Sequence, residues 1–204
     1  MAVVFETIGK IVQGLFFEKQ DKPLEQVLLE DIRTPKQNPS QRKLLDLIGQ
    51  KESNGNYNAY FGNAGNKDID FTSMTVADVR RWQDDFVRKG SKSSAVGKYQ
   101  IIRKTMDSLL KEMNLTGKEK FTPELQDQMA LTLAKRRGYD KFIKGQMPKE
   151  KFANELAKEW ASFPVIGGDK HGRSYYAEDG LNKALIGPDE VLAALDEELK
   201  LTRV

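Results

Sequence analysis

Helix start and stop signals recur along most of this chain. They are interrupted once, by residues 54–74, NGNYNAYFGNAGNKDIDFTSM. Ser40 is placed to cap a helix over QRKLLDLIGQKES, with Leu44, Leu45 and Ile48 on its apolar face and Ser53-Asn54-Gly55 as its stop; Asn and Gly tolerate the left-handed backbone of a helix end. Thr75 with Asp78 resembles a capping box before VADVRRWQDDFVRKG. In that helix Val79, Trp82 and Phe86 face inward and Gly90 ends the element. Tyr99, Ile102, Met106, Leu109 and Met113 mark the next helix. Thr122-Pro123-Glu124 opens one that runs to Gly138, with Pro at its first position. Pro148 opens another, with Phe152, Leu156 and Trp160 on one face, and Gly180 to Ile186 and Pro188 to Leu201 predict two short helices. The interrupting segment packs Gly and Asn densely around Tyr57, Tyr60, Phe61, Ile69 and Phe71, which predicts a small irregular hairpin region. The class is mainly α, with one small β-like insertion; strand-rich and parallel α/β folds do not fit.

Two parts are expected. Residues 1–40 form an N-terminal extension, in which Val4, Ile8, Ile11 and Leu15 have near-helical spacing and RTPKQNPSQ, with two prolines, reads as a linker. Residues 41–204 form the folded domain. The start carries Glu6 and Lys10 and lacks a basic n-region, so no signal peptide is expected.

The chain has 204 residues and no cysteine, which removes disulfides, thiolate catalysis and Cys-based zinc sites. Its single histidine, His171, excludes a His-rich metal site. His171 lies in GGDKHG, which is too loose for a phosphate-binding loop and reads as surface. Charge is uneven: Arg80 to Lys144 holds sixteen Lys and Arg against eight Asp and Glu. Such a stretch suits a polyanionic partner such as nucleic acid, anionic lipid or cell wall; it is also what an ordinary solvated face looks like. It holds no recognisable nucleic-acid reading motif, so no nucleic-acid partner is expected.

Glu52 is the outstanding candidate for chemistry. It follows Ile48 by four, on the apolar side of its helix, and sits in the last turn. Burial and the negative end of the helix dipole both disfavour its carboxylate, the condition for an acid that donates a proton near neutral pH. The alternative is an exposed helix-terminal Glu. Tyr57, Tyr60, Gln100, Tyr175 and Tyr176 are candidate sugar contacts, since aromatic faces stack on pyranose rings and amides bind hydroxyls both ways. Plain core aromatics remain the alternative for the tyrosines. Asp68 and Asp70 are candidate second carboxylates for a hydrolase; either is equally a turn residue.

Five segments in order resemble one family: LLDLIGQKESNGNYNAYFGN, DFTSMTVADV, SSAVGKYQIIRKTMDSLLKEMNL, FTPELQDQMALTLAKRRG, and ANELAKEWASFP followed by GRSYY. Over roughly residues 41–182 the chain resembles the lambda-type phage endolysins and related bacteriophage muramidases. The resemblance implies a lysozyme-like fold with a helical lobe and a small β lobe flanking a cleft. It implies cleavage of the β-1,4 bond between N-acetylmuramic acid and N-acetylglucosamine in peptidoglycan glycan strands, with no metal or cofactor. The family's essential acid matches Glu52. The GKYQ residues bring in Tyr99 and Gln100, the rim segment Thr72 and Ser73, and the tyrosine after SFP matches Tyr175 or its neighbour Tyr176. The resemblance is closer to lytic transglycosylases, which need one carboxylic acid, than to hydrolases using Glu52 with Asp68 or Asp70. A non-enzymatic wall-binding protein is the reading from another class, and the retained Glu52 argues against it. The implied place of action is the cell wall, reached in host lysis or from a phage particle. Residues 3–17 would then be a docking element for a particle, a tail or a membrane surface. The C-terminal helix, like the N-terminal extension, lies beyond the family's motifs.

Overall fold

A computed structural model describes residues 39–202. They fall within one compact unit, Gln37–Val204. The expectations resting on Val4, Ile8, Ile11 and Leu15, and on most of the linker, lie outside the described residues.

Among the described residues the elements are α1 (Pro39–Ser53), α2 (Val76–Arg88), α3 (Arg103–Glu112), α4 (Pro123–Arg136), α5 (Tyr139–Ile143), α6 (Lys149–Ala157) and α7 (Pro188–Thr202). Two 3-10 turns, Phe71–Ser73 and Ala177–Asp179, complete them. None of these helices is long and apolar enough to cross a membrane. The signals for starting a helix work as anticipated at two sites. Thr75 Oγ1 accepts from the Asp78 amide and donates to its carboxylate at 2.6 Å. Thr122 caps α4 through the Leu125 amide, with Pro123 at the first position.

Five boundaries differ from the sequence reading. Helix α1 already includes Pro39 and Ser40, so Ser40 is inside the helix. The segment from Tyr99 to Ile102 is not helical, and α3 begins at Arg103. Gly97 and Gln100 both have positive φ there, and Val96 pairs with Ile101 in a tight turn that spends the backbone groups a helix would need. Helix α4 stops at Arg136, and the short α5 follows a left-handed Gly138. Residues 180–186 form no helix; Ala177–Asp179 make a single 3-10 turn that ends in a left-handed Gly180. Helix α6 ends at Ala157, so Trp160 lies just past it, although Phe152, Leu156 and Trp160 are all buried as their spacing predicts.

Helix α7 runs antiparallel along α1, as the pairs Lys43–Glu197 and Lys51–Glu190 show, and also packs on α6. Helix α4 bridges α1 and α5, and α2 packs on α3. The apolar face read for α1 is real: Leu44, Leu45 and Ile48 are all buried. Residues 54–75 form the small lobe. Its β character is a few isolated bridges, such as Tyr60 with Asn63 and with Val96. Asparagine amides take the place of a strand ladder. Asn66, buried, donates to the carbonyls of Asn58 and Ile69 and accepts from the amides of Asp68 and Ile69. Asn56 donates to Ala64 and Asn66. Backbone groups satisfied in this way need no partner strand. The lobe is fastened to α2 by an aromatic cluster in which Trp82 meets Phe71 at 4.7 Å, Phe86 at 4.6 Å and Tyr60 at 5.3 Å.

Candidate active site

The last turn of α1 ends against the small lobe because Asn54 takes a left-handed conformation, φ 55°. Glu52 therefore projects from the C-terminal end of α1, one turn beyond the buried Ile48. Its Oε1 accepts from the Ser162 hydroxyl at 2.5 Å and from the Ser162 amide at 3.3 Å. Ser162 is buried in the turn after α6, where Trp160 and Phe163 anchor the chain in the core. Burial raises the Glu52 pKa above its ordinary value of 4.5, and the two Ser162 hydrogen bonds pull the other way. Burial wins, so the carboxyl holds its proton to higher pH than an ordinary glutamate.

Glu52 lines a cleft of about 550 Å³. Phe61 and Gly62 come to it from the small lobe, Lys92, Ser93, Ala95 and Gln100 from the loop before α3, and Glu159 to Ala161 from the turn after α6. Of the residues singled out in the sequence, Glu52, Gln100 and Tyr176 meet here. Gln100 adopts φ 48° and its amide donates to the Gly97 carbonyl at 2.9 Å. Gly97 is obligatory beneath it: φ is 77°, and a Cβ would stand 2.4 Å from Gln126 Oε1. The Tyr176 hydroxyl donates to the Lys158 carbonyl at 2.6 Å, which holds the ring at the rim.

The other candidates stand elsewhere. Tyr175 is exposed outside the cleft lining, edge-on to Tyr176 at 5.1 Å. Tyr99 is buried, and its hydroxyl donates to Asp127 at 2.5 Å; burial and that carboxylate push its pKa up, so it is a neutral core donor. Tyr57 donates to the same Asp127 oxygen at 2.8 Å. Tyr60 belongs to the aromatic cluster under the small lobe. Asp70 caps the 3-10 turn, accepting from the Thr72 hydroxyl at 2.5 Å, and Ser73 donates to the Asp70 carbonyl. The Thr72 bond holds the Asp70 pKa below its ordinary value. Asp68 is exposed in the same loop. Thr72, Ser73, Asp68 and Asp70 thus build the turn and do not line this cleft.

Two residues of the site were not singled out in the sequence. Ser162 has no periodic or capping signal; only its place in EWASFP pointed to it. Glu159, in the same segment, is a second carboxylate lining the cleft. Its Oε2 is held by Arg137 Nε at 2.8 Å.

A family model described as Endolysin matches residues 42–184. The chain belongs to the Endolysin family. This endolysin-family chain is therefore a peptidoglycan-degrading enzyme of phage type. Its α7 lies beyond the matched residues, yet packs along the helix that carries Glu52. Among solved structures it is similar to the lysozyme of bacteriophage lambda, at 20% identity over 80% of this chain and 96% of that one, TM-score 0.47. The lambda lysozyme complexed with a chitohexasaccharide gives the same figures. The comparison with curated proteins found no match.

Proposed function

We propose that this chain is a lytic transglycosylase that cleaves the β-1,4 bond between N-acetylmuramic acid and N-acetylglucosamine, with Glu52 as acid and then base. The carrying observation is a carboxyl that lines the cleft and that burial holds toward its protonated form. Protonated Glu52 donates to the glycosidic oxygen as the C1–O bond breaks, and the N-acetylglucosamine leaves with its hydroxyl restored. The Glu52 carboxylate then takes the proton of the muramic acid C6 hydroxyl while O6 bonds to C1. The product is a 1,6-anhydro end, no water is consumed, and Glu52 is again protonated. One carboxyl group suffices for both halves.

Glu159 favours a second reading, a muramidase that hydrolyses the same bond with Glu159 rather than Asp68 or Asp70 as partner carboxylate. The Arg137 guanidinium pairs with Glu159 Oε2 and fixes the carboxylate in the cleft wall, so the hydrolase reading turns on its other oxygen. Mass spectrometry of fragments released from purified sacculi separates the two. Anhydro ends support the transglycosylase; reducing ends carrying solvent oxygen overturn it.

Residues 41–204 would be the catalytic part, and residues 3–17 a docking element that brings it to a phage particle, a tail or a membrane surface. The setting is the cell wall, in host lysis or in wall penetration by a particle.

A further inference from the structure

Lys98 is a charged residue that the mechanism above does not use. It is 5% exposed. Its Nζ donates to Asp46 Oδ1 at 2.7 Å and to the Tyr57 hydroxyl at 3.3 Å. The ammonium also stands over the rings of Tyr57 and Tyr99, at 4.9 and 5.3 Å. Reaching Asp46 requires the stem to cross the surface of α1, and it crosses at Gly49. A Cβ on Gly49 would stand 2.3 Å from Lys98 Cε and 2.6 Å from Cγ. This glycine is inside a helix, where it costs stability relative to Ala, and its φ is not positive. Close approach of the lysine stem is what it provides.

The main chain of Lys98 is held as firmly. Its amide donates to Gln126 Oε1 at 2.9 Å, and its carbonyl accepts from the Ser53 hydroxyl at 2.8 Å. Ser53 is the residue after Glu52, and Gln100 of the cleft is two residues after Lys98. One residue therefore grips α1 at Asp46, Gly49 and Ser53, and carries the turn that presents Gln100. An ion pair between a buried ammonium and a carboxylate at the surface contributes little net stability, but it fixes where the lysine stem lies.

We infer that Lys98 is a positioning residue for the catalytic acid: its bond to Asp46 across Gly49 sets Glu52 in register with the Gln100 side of the cleft. This rests on the role proposed for Glu52. Without the ammonium, α1 keeps its core contacts and the Ser53 bond to the Lys98 carbonyl but loses the tie at Asp46, so its last two turns are held against the turn carrying Gln100 at one point instead of two. A misplacement of about 1 Å costs a reaction on the order of 100-fold. It bears on turnover rather than on binding, because Lys98 does not line the cleft.

The test uses the full chain acting on soluble, uncrosslinked peptidoglycan strands, with each rate expressed per folded molecule by circular dichroism. Lys98→Met should lower kcat by about 10- to 100-fold with KM changed less than about twofold. Lys98→Arg, which keeps the charge and the reach, should recover most of kcat. Asp46→Asn removes the anchor at a side chain that is 60% exposed. It should fold whether or not Lys98→Met does, and lower kcat in the same direction. Asp46→Asn with unchanged kcat overturns the inference, as does a Lys98→Met loss that appears in KM alone. Glu52→Gln is assayed beside them. If it stays active, the acid assignment fails; if it is inactive while Asp46→Asn turns over normally, only the positioning role fails.

Discussion

The Ser162 hydroxyl donates to the Glu52 carboxylate across 110 residues of sequence at 2.5 Å, and it opposes the effect that makes Glu52 an acid. Burial raises the Glu52 pKa while the Ser162 bonds lower it. Ser162→Ala removes the hydroxyl bond and keeps the burial, so the pKa rises further. The alkaline limb of the kcat/KM profile, which reports loss of the protonated acid, should move to higher pH. A limb that stays in place or moves to lower pH contradicts the assigned role. The stability cost should be about 1 kcal/mol, the net worth of an ordinary hydrogen bond.

Glu52→Gln should reduce wall cleavage by at least about 10²-fold, since an amide keeps the shape but donates no comparable proton. It should also stabilise the fold at neutral pH. A carboxyl whose pKa is raised on folding contributes its full share below its unfolded value of 4.5 and loses it as pH rises through the folded value. The melting-temperature gain of Glu52→Gln should therefore grow with pH from about 4.5 upward. A gain independent of pH would mean that Glu52 is not the titrating group.

Asp68→Asn and Asp70→Asn should retain most activity, since both lie in the turn rather than in the cleft. Glu159→Gln decides the muramidase reading. Under the transglycosylase reading it lowers activity modestly and leaves the products as anhydro ends. A loss as deep as that of Glu52→Gln, with folding intact, would instead make Glu159 a catalytic partner.

Glu198 places a second pH response in α7. It is buried, accepts from the Tyr139 hydroxyl at 2.5 Å, and has Lys43 near enough to favour its charged form. Burial outweighs these and a backbone hydrogen bond at Leu44, and pushes its pKa up to about 7. Its contribution is thus fully present below pH 4.5 and is lost as pH rises through 7, by on the order of 3 kcal/mol. Denaturant titrations should show stability falling over that window for the unaltered protein, and a flatter curve for Glu198→Gln. Parallel curves would show that Glu198 does not titrate there.

A chain beginning at Gln37 should fold and still cleave isolated peptidoglycan, because the compact unit starts there and the family match begins at residue 42. Loss of its attack on whole cells alone would support the docking role of residues 3–17. Loss of activity on purified substrate would place the N-terminal segment in the catalytic fold.

What the sequence determined by itself was local. Thr75, Thr122 and Pro123 start helices through contacts three or four residues away, and those starts stand as read. Glu52 was legible for the same reason: its four-residue interval from Ile48 and the Ser53-Asn54-Gly55 stop put it on a known face of a known turn. The irregular character of residues 54–74 followed from their Gly and Asn content, though not that the Asn66 and Asn56 amides would stand in for strands. Tertiary structure alone decided which side chains share the cleft. Tyr99 and Gln100 are adjacent, yet one is core and the other lines the site, because the positive φ of Gln100 turns the chain between them. Ser162 reaches Glu52, Glu159 enters the cleft beside it, and Lys98 crosses Gly49 to Asp46 through separations of many tens of residues. Periodicity and capping act within one turn of helix. They carry no information about which turns packing then brings together.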